Sequence, residues 1–83
     1  DRPYVVGFAA ETDNLIDNAK KKLTNKRLDL IVANDVSDKN IGFDSDDNEV
    51  TLITQKEQKL LERQNKKKIS NKIIEFISGR IND

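Results

Sequence analysis

The sequence predicts an α/β fold in which a parallel β-α-β unit is followed by a hairpin and a C-terminal helix. Three observations carry it. Tyr4 to Ala10 is an apolar run without polar alternation, the pattern of a strand covered on both faces. Leu15, Ile16, Ala19 and Leu23 then recur at helical spacing, an arc of about 100° suited to lying on a sheet. Leu28 to Ala33 forms a second apolar run that ends in the turn formers Asn34, Asp35, Val36 and Ser37.

Each element has a local rationale. Thr12 or Asp13 is expected to cap the first helix, with Asp13 and Asp17 in its first turn and Asn25 as its stop. Gly7, Ala9 and Ala10 keep the end of the first strand free of bulk, which suits either a ligand or close helix packing. A right-handed crossover brings Gly7 to Thr12 and Asn34 to Ser37 to one sheet edge, the place where α/β proteins hold ligands. Further on, Glu49 to Thr54 reads as a strand, Thr54 to Gln58 as a turn and Lys59 to Leu61 as the returning strand. Ile69, Ile73, Phe76 and Ile77 mark a last helix from a polar start near Asn65, with fraying expected at Gly79.

Composition removes several function classes. Fifteen basic and fifteen acidic residues balance, so phosphate binding must come from local placement. Without cysteine or histidine there is no disulfide framework, no thiol nucleophile and no imidazole base or metal ligand. The run Lys66-Lys67-Lys68 lacks interleaved aromatic residues and reads as a solvated face rather than a nucleic-acid contact. Asp44 to Glu49 resembles a calcium loop only superficially, because Glu49 stands where the loop needs glycine and Gln55 where it needs glutamate. No segment is apolar enough for a membrane span, and with 83 residues one domain is expected, 1–83.

On the first helix, Lys22 and Lys26 lie within about 20° of the direction of Leu15, whereas Lys21 points about 120° away. Two like charges one turn apart border the buried stripe. They call for a counter-charge such as a polyphosphate, or for stems that snorkel along the apolar face. Asn34 and Asp35 are read either as turn chemistry or as polar contacts to a ligand.

Four motifs stand in order: Gly7-Phe8-Ala9-Ala10-Glu11-Thr12, then Ala19-x-x-Lys22-Leu23-x-x-Lys26. Asp29-Leu30-Ile31-Val32-Ala33-Asn34-Asp35-Val36-Ser37 and Gly42-Phe43-x-Ser45-Asp46-x-Asn48 follow. Together they resemble the C-terminal part of phosphopantothenoylcysteine synthetase, the second half of a bacterial bifunctional decarboxylase/synthetase of coenzyme A biosynthesis. The resemblance is close over residues 2–54 and general in the final helix.

It implies a piece of a Rossmann-like three-layer fold and a cytoplasmic ligase. That ligase joins 4′-phosphopantothenate to cysteine with CTP and Mg²⁺, through an acyl-cytidylate. It further implies nucleotide binding by Phe8, Lys22 and Lys26, with Ala10 and Asn34 as further contacts to nucleotide or substrate. No catalytic residue or metal ligand is expected in this segment. FMN belongs to the decarboxylase half, which is absent here. The expected partners are nucleotide, phosphopantothenate, the preceding part of the same protein and a second copy in a homo-oligomer; neither nucleic acid nor membrane is expected. The chain reads as a fragment unable to carry out the reaction alone. Two alternatives remain: a nucleotide-binding module without chemistry, and an assembly piece pairing through a hairpin edge bearing Val50, Leu52, Leu60 and Leu61.

Overall fold

The computed structural model describes residues 3–36 and 47–81. The elements follow in the order β1 (Val6–Glu11), α1 (Leu15–Asn25), β2 (Leu30–Asp35), β3 (Asp47–Ile53), β4 (Gln58–Asn65) and α2 (Lys66–Ile81). The four strands form one sheet in the order β1-β2-β3-β4, with β1 parallel to β2 and the other two pairings antiparallel. This is the expected β-α-β unit, hairpin and final helix.

The strands alternate between two apolar clusters, one per face of the sheet. Ile31, Ala33 and Ile53 point toward α1 and pack with Ala19 and Leu23. Leu30, Val32, Val50, Leu52 and Leu61 point the other way, under Ile69 and Phe76 of α2. β2 is therefore buried on both sides, and it reads as an unbroken apolar run for that reason. The result is three layers, helix on sheet on helix.

Several boundaries differ from expectation, each with a local cause. α1 is capped by Asn14 rather than Thr12 or Asp13. Asn14 is left-handed (φ 45°, ψ 43°) and makes no side-chain capping bond. Asparagine tolerates this conformation, which lets β1 run through Glu11 before the chain turns. Of the expected acidic pair, Asp17 alone is in the first turn. The helix does stop at Asn25, and Arg27 takes a positive φ of 53° while Leu28 N–H donates to the Leu23 carbonyl at 2.9 Å.

Asn34 and Asp35 belong to β2 and not to a turn, because they continue the parallel register opposite Ala10 and Glu11. β1 is not covered on both faces: Phe8 is 74% exposed and Ala10 is exposed too. β1 is an outer strand of the described sheet, and α2 packs over β3 and β4 rather than over it. Gly7 faces α1, where a Cβ would stand 2.5 Å from a Leu28 methyl, so its bareness here serves close packing.

The hairpin is longer than the sequence suggests: β4 runs back along β3 from Gln58 to Asn65, with a register shift between Asn48 and Val50. Thr54 Oγ1 accepts the Lys56 and Glu57 amides at 3.1 Å each and fixes the turn. Of the four residues assigned to an assembly edge, Val50, Leu52 and Leu61 are core, and Leu60 remains exposed. The motif at Gly42-Phe43 and the acidic residues 44–46 lie outside the described residues.

α2 begins as expected just after Asn65, whose Oδ1 accepts the Lys67 N–H at 2.8 Å. Asn65→Ala is expected to cost about 1 kcal/mol in urea unfolding through loss of this cap; an unchanged midpoint would refute the capping role. The helix does not fray at Gly79. Arg80 lies 3.5 Å over the Phe76 ring and pairs with Glu57, tying the last turn to the β3–β4 turn.

Candidate functional site

The carboxyl ends of β1 and β2 meet at one edge, and the topology brings two more ends there. β4 runs parallel to β2, so α2 starts beside the same edge, and β3 begins there at Asp47. Phe8, Ala10 and Asn34 share the α2 side of the sheet. With Asn48, Val50, Lys66, Ile69, Ser70 and Ile73 they line a trough of 390 Å³. Phe8 lies across from Val32 in the register and exposes its ring there. The buried Asn34 Oδ1 has no hydrogen-bond partner among the described residues.

Lys22 lies on the other side of the sheet. Its ammonium donates to Glu11 Oε1 at 2.6 Å, and Glu11, at the end of β1, is only 7% exposed. Helical side chains lean toward the helix N-terminus, so a lysine late in α1 can reach back to the carboxyl edge. Its side chain remains 42% exposed, leaving other donor positions free to face solvent or an anion. Lys26 sits at the C-cap, exposed, one turn and about 6 Å further from that edge.

The structure thus joins Phe8, Ala10 and Asn34, sets Lys22 across the strand end from them, and leaves Lys26 apart. A ligand touching Phe8 and Lys22 together must pass over the sheet edge.

Sequence reasoning assigned no site role to Glu11, Lys66 or Ser70. Glu11 was detectable, because Gly7, Ala9 and Glu11 keep the two-residue period of one strand face. The two α2 residues were not, since nothing local to β1 says which helix turn will stand opposite.

A larger hollow of 740 Å³ lies at the opposite edge, among Tyr4, Arg27, Asp29, Lys56, Glu57 and Arg80. Its charges nearly balance, and several are engaged: Arg80 with Glu57, and Asp29 Oδ2 with the Val5 N–H at 2.7 Å. Partial burial, then the Asp29 carboxylate, holds the Tyr4 phenol above its ordinary value of 10.0. Nothing there combines an exposed aromatic ring with an uncompensated charge. Among the described residues, no group of three carboxylates could hold a metal ion. Among the described residues, no helix is long and apolar enough to cross a membrane either.

Comparison with known proteins bears on the same region. The coenzyme A biosynthesis bifunctional protein CoaBC of Escherichia coli K12 is 44% identical over 82 residues, covering 99% of this chain and 20% of its own length. Its namesake in Bacillus subtilis is 55% identical over 49 residues, 59% of this chain and 12% of its own. The chain therefore spans about a fifth or less of these relatives.

Among solved structures, the C-terminal domain of a CoaBC protein superposes with a TM-score of 0.80 at 33% identity, covering all of this chain and 37% of that one. The DNA/pantothenate metabolism flavoprotein from Streptococcus pneumoniae gives 0.70 at 26% identity, over 89% of this chain and 33% of that one. Residues 1–80 match the family described as the DNA/pantothenate metabolism flavoprotein C-terminal domain. With its three-layer fold, its strand-end edge and this match over nearly its full length, the chain belongs to that family.

Proposed function

We propose that this chain forms one wall of the nucleotide site of a CTP-dependent phosphopantothenate–cysteine ligase. The carrying observation is at the carboxyl edge: an aromatic ring, Phe8, is left 74% exposed, and an ammonium group, Lys22, is drawn to the same strand end by Glu11. The relatives' role in coenzyme A biosynthesis supports the reading.

On it, the carboxylate of 4′-phosphopantothenate attacks the α-phosphate of CTP, pyrophosphate leaves, and the cysteine amine then displaces CMP from the acyl-cytidylate. Such a step depends mainly on positioning and charge neutralisation. Phe8 gives the nucleotide an apolar face, Lys22 neutralises phosphate charge over the strand edge, and Lys26 adds long-range attraction from α1. Ala10 leaves space, and Asn34 offers a polar contact. Mg²⁺ arrives on the triphosphate. FMN has no part in this segment, and the chain alone does not turn over.

CTP titration followed by amide NMR tests the reading. Phe8→Ala is expected to weaken binding about tenfold and Lys26→Ala about two- to threefold. In the full-length protein carrying this chain, Phe8→Ala should slow CTP-dependent pyrophosphate release by a similar factor. A parent chain whose edge amides ignore CTP at several millimolar, or a Phe8→Ala variant that binds like the parent, would sink the proposal.

A further inference from the structure

Resting on that reading and extending it, we propose that Lys66, with Ser70 one turn later on α2, holds a phosphate group in the trough facing Phe8. The run Lys66-Lys67-Lys68 looks uniform in sequence, yet the fold sorts it. Lys66 lines the trough with Ile69, Ser70 and Ile73, the i, i+3, i+4, i+7 face of α2, and neither Lys67 nor Lys68 does. The two isoleucines join the core and give the trough an apolar floor, while Lys66 and Ser70 add a charge and a hydroxyl.

Among the described residues, that lining carries one cation and no carboxylate. Within the described lining an anion meets attraction without a competing carboxylate. The opposite wall is the exposed ring of Phe8. Between them lies the buried, unpartnered Asn34 Oδ1, an acceptor that a ligand hydroxyl or amine would satisfy. These groups together select a ligand with a phosphate, a hydrogen-bond donor and a flat or apolar body. At 390 Å³ the trough has room for a nucleoside monophosphate or a phosphorylated pantothenate arm.

The test is an amide NMR titration of the 83-residue chain with CMP, CTP, phosphopantothenate and, as the uncharged control, cytidine. Lys66→Ala should weaken the phosphorylated probe that fits by about tenfold, the usual scale of a charge-assisted phosphate contact, without altering cytidine. Lys67→Ala and Lys68→Ala should leave every probe within twofold, and Lys66→Arg should recover most of the loss. Whether CMP or phosphopantothenate shows the Lys66 dependence identifies the source of the phosphate.

All three lysines are exposed, so the variants keep the fold, which amide dispersion verifies. The inference is overturned if Lys66→Ala loses no more than Lys67→Ala for every phosphorylated probe. It is equally overturned if no phosphorylated probe shifts the amides of Phe8, Asn34 and Ser70. A Phe8→Ala arm separates the two claims: loss there with none at Lys66 leaves the nucleotide reading standing and removes this one, and the reverse does the opposite.

Discussion

Leu52→Ala is expected to lower the unfolding free energy by about 3 to 4 kcal/mol, the scale of a leucine truncation that leaves a cavity. Leu52 is 0% exposed at the middle of β3, paired with Val32 on one side and Lys59 on the other, beneath α2. The backbones of β2 and β4 on either side are held by ladder bonds, which limits how far the site can relax. A domain of this length has roughly 4 to 12 kcal/mol in all, so the loss is a large share. Leu60 is the matched comparison: it lies on the same hairpin, 54% exposed on the opposite face of the sheet. Leu60→Ala should stay within about 0.5 kcal/mol. Urea unfolding of both variants checks this, and equal midpoints would show that α2 does not seal that face as described.

The second large effect concerns Glu11 and Lys22. Lys22→Ala removes the cation 2.6 Å from a carboxylate that is only 7% exposed, leaving buried charge without that partner. Breaking a fully buried pair costs several kcal/mol. With the Lys22 side chain 42% exposed, solvent reduces this to about 1 to 2 kcal/mol. The double variant Glu11→Gln/Lys22→Met should regain most of it, since neither replacement is charged and both keep length. Stability measured without ligand reads the pair, and affinity measured in the rescued double variant reads the nucleotide contact. Were Lys22→Ala and the double variant equally stable, the bond would have no energetic role.

Much of this was legible from residues. β2 announced itself because it is buried on both faces, so its side chains need no alternation. The stripe of α1 and the stripe of α2 appeared at helical period because each has one face to hide. Errors gathered where one residue type serves two structures. Asn34 and Asp35 are common in turns, yet here the parallel ladder extends through them. Glu11 is a good first-turn residue, yet here it completes a strand. Phe8 looked buried because it stands in an apolar run without polar alternation, and its exposure follows from the outer place of β1, which depends on strand order. Grouping Phe8 with Lys22 and Lys26 followed from the family resemblance. The geometry divides them between two sides of the sheet and draws in Lys66, some forty residues beyond Lys26, as only tertiary folding can.

The sheet order carries a kinetic consequence. Its strands stand side by side in the order in which the chain makes them, so each strand finds its partner in the segment just before it. The β3–β4 hairpin closes a short stretch of chain, and β1 meets β2 across a separation of 24 residues through α1, a closure whose entropy grows slowly with length. The hairpin of β3 and β4 closes locally through the Thr54 turn and presents β3 to β2. For a mixed sheet, keeping paired strands adjacent in chain order lowers the contact order relative to one whose strands cross over one another, and lower contact order favours faster folding. Assembly by successive local steps also leaves little time for an unpaired β2, the most apolar strand, to meet another molecule.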